Sequence, residues 1–184
     1  MMIKKHYYSW QDVENACVNI ALQMYKDNWR PDYIVGITRG GNVPATILSN
    51  MLGIRCEALK VSLRDDEMGP ESNLWMAEDA FGYVPLEEQE TCRWDNKKRK
   101  NILIVDDIND TGATFNWIVE DWQSGCLPNE KAWDTVWNKN VRFAVLTENL
   151  SSNFGYVDYS VHEVNKSEED VWLCYPWEVV GEYA

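Results

Sequence analysis

The sequence predicts an α/β protein with a parallel central sheet flanked by helices. Three observations carry that prediction. Apolar residues recur at helical spacing near the N-terminus; two apolar runs, Tyr33–Ile37 and Ile102–Val105, have the look of strands buried on both faces; and helix and strand signals alternate from residue 9 to residue 147.

Ser9-Trp10-Gln11-Asp12 reads as a helix start, with Ser9 as the cap and the Asp12 carboxylate near the positive helix end. Val13, Ala16, Cys17, Ile20 and Met24 carry that helix to about Lys26. Pro31 closes the link to the strand Tyr33–Ile37. Thr38 to Asn42 is a turn, and Pro44 suits the first turn of a second helix, which Gly53 stops after Leu52. A strand covers about Cys56 to Leu63, where Leu59, Val61 and Leu63 alternate. From Asp65 to Arg99 the pattern breaks around Gly69-Pro70, Gly82 and Pro85, and the stretch is expected to be a structureless lid, binding loop or insertion. Asn101–Val105 is the clearest buried strand. A polar loop, Asp106 to Asp110, follows it and leads into a helix from about Thr111 to Trp122. Phe143–Thr147 and Tyr156–Val161 are two further strands, and an aromatic tail runs from Val171 to Trp177.

The 184 residues suit one domain, 1–184, large enough to bury roughly 70% of its unfolded surface. A formal net charge of −13 excludes a broad nucleic-acid-binding face, because phosphate neutralisation needs clustered Lys and Arg; a small basic pocket stays possible. Five scattered cysteines without a C-x-x-C pair predict free thiols rather than a disulfide framework or a zinc site. No signal peptide is visible, and the longest aliphatic run, Ile102–Val105, is far short of the ~20 residues that span a bilayer. A soluble protein of a reducing compartment, the cytoplasm, is expected.

The chemistry lies in Ile102 to Thr114. An aliphatic strand delivers Asp106 and Asp107 to the carboxyl edge of the sheet, where open α/β sheets bind ligands. Asp110 to Thr114 then open a helix, whose first N–H groups and dipole favour a phosphate; Gly112 allows close backbone approach, and Thr111 and Thr114 add hydroxyls. Paired carboxylates beside a phosphate cradle suit a sugar phosphate, since they accept bonds from ribose hydroxyls and help hold a hard divalent ion. Two other readings use the same letters. Asp110-Thr111-Gly112-Ala113 is the tetrapeptide of retroviral-type aspartic proteases, but Ile108-Asn109 and two further acids intervene between it and the strand. An EF-hand loop through Asp107, Asn109 and Thr111 ends on Ile118, where a Glu is required.

An aliphatic strand, two acids and a loop ending in Thr-Gly-x-Thr resemble the PRPP-binding signature of the type I phosphoribosyltransferases. Val35-Gly-Ile-Thr-Arg39-Gly40-Gly41-Asn-Val-Pro44 is similar to the loop of that family that binds pyrophosphate. The chain looks most like the bacterial xanthine–guanine members. The resemblance implies a type I phosphoribosyltransferase-like fold with a small hood at about 148–184 and a long flexible lid at about 65–100. It implies Mg²⁺-dependent transfer from PRPP to a nucleobase by a homodimer or homotetramer. Arg39 and Gly40 would bind the diphosphate, with a strained peptide between them. Asp106 and Asp107 would serve the ribose, with Asp107 linked to Mg²⁺. Ile108, Asn109, Asp110, Thr111, Gly112, Ala113 and Thr114 would complete the PRPP site. Asp110 would act as general base near the purine, Trp172 would stack on the base, and the Leu173 backbone would read its edge. Lys60, Arg64 and Lys97 to Lys100 are candidate cations for the diphosphate, or simply a solvated surface. One departure concerns the base: 6-oxopurine enzymes of the family carry a Lys after the strand at 143–147, and an ungapped match puts Asn149 there. That change, with the long acidic segment, leaves a second expectation, a PRPP- or nucleotide-binding regulator on the same fold.

Overall fold

The computed structural model describes residues 3–61, 73–83, 95–125 and 130–178. In chain order the elements are β1 (Lys4–Tyr7), α1 (Trp10–Lys26), β2 (Tyr33–Thr38), α2 (Asn42–Leu52), β3 (Cys56–Lys60), α3 (Leu74–Phe81), β4 (Ile102–Asn109), α4 (Ala113–Gly125), α5 (Glu130–Trp133), β5 (Val141–Asn149), β6 (His162–Val164) and β7 (Val171–Cys174). A five-stranded sheet has the order β3-β2-β4-β5-β6, with every neighbouring pair parallel, and β1 pairs with β7, also parallel, in a separate ribbon.

The central strands read as continuous apolar runs because both faces are covered. On one face Tyr33, Val35, Ile37, Ile102, Ile104, Phe143 and Val145 pack with residues of α3, α4 and α5; on the other Ile34, Leu103, Val105, Ala144 and Leu146 pack with α1, α2 and β7. The strand period of two sorts each run between the two clusters. α1 starts with a reciprocal capping box: Asp12 N donates to Ser9 Oγ (3.1 Å) and Ser9 N donates to Asp12 Oδ2 (2.7 Å). Its buried residues are Val13, Ala16, Cys17, Ile20 and Met24, the stripe that the spacing predicts. α2 ends on Gly53 in the left-handed conformation, φ 65°.

Several boundaries differ from the sequence expectation. The stretch 65–99 is not structureless throughout: α3 buries Met76, Ala77, Ala80 and Phe81, and a 3-10 turn at Asn96–Lys98 is capped by Asp95. The rest of that expected lid, 65–72 and 84–94, lies outside the described residues, as does Arg64. β3 runs to Lys60, with the expected end at Leu63 outside the described residues, and β4 continues through Asn109 instead of stopping at Val105. α4 begins at Ala113, not Thr111. The strand expected at Tyr156–Val161 does not form. That segment meets β5 only around one bridge, Ala144 with Tyr159, where Tyr159 N donates to the Phe143 carbonyl (3.1 Å) and Val145 N to the Tyr159 carbonyl (2.9 Å), while Phe143 N is taken by Asp158 Oδ2 (2.9 Å); β6 pairs later, at 162–164. Neither β1 nor α5 was expected. Cys17, Cys56 and Cys174 are free thiols; Cys92 and Cys126 lie outside the described residues. Among the described residues no helix is long and apolar enough to cross a membrane.

Candidate active site

The strand order reverses between β2 and β4. From β2 the chain moves outward to β3, then returns to β4 on the other side, which leaves a crevice at the carboxyl ends of β2 and β4. A cavity of about 300 Å³ opens there, lined by Asp106 to Phe115 and, from the C-terminal segment, by Lys166, Trp172, Leu173, Tyr175 and Glu178. The structure therefore brings together every expected site residue from Asp106 to Thr114 with Trp172 and Leu173. Gly40 stands beside them: a Cβ there would fall 2.0 Å from Asp107 Oδ2, so only glycine lets the β2–α2 turn lie against that carboxylate. The Arg39 side chain is exposed and does not line the cavity. The Thr38–Arg39 peptide leading into that turn is cis.

The loop after β5 holds the 109–112 turn in place. Asn109, 2% exposed, donates through Nδ2 to Glu148 Oε1 and to the Phe154 carbonyl (2.9 Å each), and its Oδ1 accepts from Ser152 Oγ (3.0 Å). Asn153 N donates to the Thr111 carbonyl (3.0 Å). Gly112 sits at φ 88°, and a Cβ there would come 2.6 Å from Phe154 N. The close approach Gly112 allows is thus to this loop. Thr111 Oγ1 accepts from Ala113 N (3.3 Å) at the start of α4. The first N–H groups of a helix have no intrahelical partner, so the residues lining the cavity here offer donors to an anion.

The acids of the site are not alike. Burial, then the neighbouring Asp107 charge, pushes the Asp106 carboxyl well above the usual carboxylate range. Burial, then the Glu178 charge, raises Asp107 to about 6. Asp110 has partners of another kind: Lys166 Nζ lies 2.9 Å from its Oδ2, and Asn149 Nδ2 donates to its carbonyl (2.9 Å) and its Oδ1 (3.3 Å). Tyr175 packs this acidic wall from behind; its hydroxyl donates to the Asp107 carbonyl (3.0 Å) and lies 2.8 Å from Thr147 Oγ1. Trp172 is 56% exposed with its flanks Val171 and Leu173 buried, so it presents a ring to the cavity instead of filling the core.

No group of three or more His, Cys, Asp or Glu able to hold a metal occurs among the described residues. The acids nevertheless fit a magnesium ion. Asp107 and Glu178 are hard oxygen donors that line the same cavity, close enough for the Glu178 charge to act on Asp107, and Mg²⁺ is ordinarily held by one or two carboxylates, with substrate oxygens and water filling the octahedron. Lys166, Tyr175 and Glu178 were missed in the sequence. Glu178 directly follows the aromatic tail, and Lys166 sits in a polar link between two short strands; neither carries a spacing signal. Within the basic run Arg99 and Lys100 are committed elsewhere: Arg99 donates to Phe81 O (3.1 Å) and Thr135 O (3.0 Å), and Lys100 Nζ lies 3.0 Å from Asp79 Oδ1. A strand–turn–helix in a parallel sheet fits neither an aspartic protease nor an EF-hand loop.

Comparison with known proteins agrees with this geometry. The profile of the phosphoribosyl transferase domain matches residues 4–166. The chain is 24% identical to xanthine phosphoribosyltransferase 1 of Saccharomyces cerevisiae, over 95% of this chain and 90% of that one. It is 26% identical to the xanthine-guanine phosphoribosyltransferase of Cereibacter sphaeroides, over 98% of this chain and 90% of that one. Among solved structures, a purine phosphoribosyltransferase from Pyrococcus horikoshii shares the fold with a TM-score of 0.62 at 22% identity, over 98% of each chain.

Proposed function

Since this chain belongs to the phosphoribosyl transferase domain family, we propose that it transfers the phosphoribosyl group of PRPP to a purine base such as guanine, xanthine or hypoxanthine and releases pyrophosphate. The observation that carries the reading is the meeting, in one cavity at the switch point of the sheet, of the Asp106-Asp107 pair, the helix-opening turn Asp110–Thr114 and an exposed Trp172.

On this reading residues 110–114 hold the 5-phosphate, and Asp106 and Asp107 accept hydrogen bonds from the ribose hydroxyls. The Arg39-Gly40 turn serves the diphosphate through its backbone. Asp107, with Glu178, holds Mg²⁺, which when bound neutralises the diphosphate and eases its departure. Trp172 stacks on the base and the Leu173 backbone meets its edge. A ring nitrogen of the base bonds to the anomeric carbon as the bond from that carbon to the diphosphate oxygen breaks. The proton lost by the base passes to the Asp110 carboxylate. The remaining contribution is alignment of two bound reactants, which replaces a bimolecular encounter. The protein would work in the cytoplasm, as a homodimer or homotetramer.

The test is incubation with PRPP, Mg²⁺ and a panel of nucleobases, read as pyrophosphate release. Release dependent on guanine, xanthine or hypoxanthine supports the reading. PRPP binding with no release for any base would replace it with the PRPP-binding regulator.

A further inference from the structure

The pairing of β4 with β2 ends at Val105 opposite Gly36, and on the β5 side the register passes from Asp106 with Val145 to Ile108 with Thr147. Side chains meet the backbone of Asp107 at this point. Its N–H donates to Asp106 Oδ1 (2.9 Å), and its carbonyl accepts from the Tyr175 hydroxyl (3.0 Å). A carbonyl only accepts and a hydroxyl has one proton, so Tyr175 spends its proton on Asp107. Thr147 Oγ1, 2.8 Å from the Tyr175 oxygen, then donates to it, and Tyr8, whose hydroxyl lies 3.2 Å from Thr147 Oγ1, donates to Thr147. Three hydroxyls from three parts of the chain thus form a file that ends on Asp107.

Tyr175 is 2% exposed, its ring stacked on Tyr8 (centroids 5.0 Å apart, 17° between planes) and on Trp177 (4.9 Å, 6°), and Thr147 is fully buried. Burying a hydroxyl costs free energy unless it is bonded, and Phe and Val would fill the same space without that cost, so the content of the file is orientation. The carbonyl of Asp107 and the N–H of Ile108 share one rigid trans peptide and point opposite ways. Tyr175 fixes the first. The second donates to Asp107 Oδ1 (2.8 Å). The carboxylate of Asp107 is therefore set by its own peptide: one oxygen is spent on Ile108 N, and the other, Oδ2, lies toward the Gly40 turn.

We infer that Tyr175, backed by Thr147, is a positioning residue that holds the Asp107 carboxylate in place to receive PRPP and its divalent ion. The inference rests on the phosphoribosyl-transfer reading and adds what orients the acid on which that reading depends. Tyr175 acts through the 107–108 peptide and touches no reactant in this role.

The test is calorimetric titration of the wild-type chain, Tyr175→Phe, Thr147→Val and Thr147→Ser with two ligands. PRPP in Mg²⁺ needs Asp107; inorganic phosphate needs only the 110–114 turn. Tyr175→Phe should weaken PRPP by about 10- to 100-fold, the range for a lost outer-shell partner of a metal-binding group, and raise the Mg²⁺ concentration that half-restores PRPP binding. Phosphate affinity in that variant should stay within about twofold of wild type, because the turn is not reached by the file. Thr147→Val should weaken PRPP by about 3- to 10-fold, the range for one neutral hydrogen bond, and Thr147→Ser, which keeps the hydroxyl, should recover most of it. Unchanged PRPP affinity in Tyr175→Phe, equal loss of both ligands, or a Thr147→Ser no better than Thr147→Val would overturn the inference. If Tyr175→Phe does not fold, the two Thr147 variants decide by the same criteria. A wild type that does not take PRPP in Mg²⁺ would instead overturn the reading of the site itself.

Discussion

Asp106, Asp107 and Asp110 are spaced within five residues, yet their surroundings give them different work. Asp106 and Asp107 are pushed upward by burial and by neighbouring acids, whereas Asp110 faces Lys166 and Asn149. Asp110→Ala should therefore lower kcat by about 10²-fold or more, the ordinary contribution of a positioned base, with PRPP affinity changed by less than about threefold. Parallel loss of both quantities in steady-state kinetics and PRPP titration would remove the base role. Asp107 makes a pH prediction. Its folded carboxyl is raised from 3.8 to about 6, so the native state binds that proton more tightly than the unfolded chain. The contribution of this group to stability is then best at low pH and declines as pH rises from about 4 to about 6. In Mg²⁺-free buffer, Asp107→Asn should gain on wild type across that window, by about 2–3 kcal/mol above pH 6.5, measured by denaturant titration at a series of pH values. Gly112 is a third case. Gly112→Ala strains a φ of 88° and drives a Cβ toward Phe154 N, so a loss of about 1–3 kcal/mol is expected in the same titration, with weaker PRPP binding because the turn shifts.

The elements show why some of the fold was legible in the sequence and some was not. β2, β4 and α1 are announced by patterns that burial requires: runs covered on both faces, and a stripe with a capping box. The turn after β4 was readable for a related reason, since a phosphate-accepting helix start needs small and hydroxylated residues in sequence. α3 was hidden because its eight residues, Leu74–Phe81, sit in an acidic stretch broken by Gly and Pro, and only packing on Trp133 and the sheet makes the helix form. β1 gives no period-two signal because all four of its residues are exposed; its partner β7 supplies the order. At the site, Lys166 was invisible for the opposite reason: its place is set by one buried asparagine reaching across from β5, and pairings of that kind leave no mark on spacing. α3 carries its own prediction. Phe81 is fully buried, its ring 5.1 Å from that of Trp133, so Phe81→Ala should destabilise the protein by about 3–4 kcal/mol. A change below about 1 kcal/mol in chemical denaturation would mean that this helix is a detachable part of a lid.

At the scale of the whole molecule, the net charge of −13 meets a proposed substrate that carries several phosphate charges. The described part of the cavity offers one lysine against four carboxylates, so charge attraction is not what would seat PRPP. Helix-opening amides, a glycine turn against Asp107 and a divalent ion held by acids of the cavity would have to do it. Binding of PRPP should accordingly depend on Mg²⁺ more steeply than on ionic strength. Calorimetric titration in EDTA should show little binding, and affinity restored by Mg²⁺ should fall only modestly between low and physiological salt. The sheet order explains why these parts meet at all: β2 and β4 are neighbours in space with β3 set aside, and β7 returns the tail to the same edge. The account stands most directly on product stoichiometry. With PRPP, Mg²⁺ and hypoxanthine, each PRPP consumed should yield one nucleoside 5′-monophosphate and one pyrophosphate, quantified together by chromatography and phosphorus NMR. PRPP that is hydrolysed to ribose 5-phosphate with the base untouched, or bound and left intact, would contradict it.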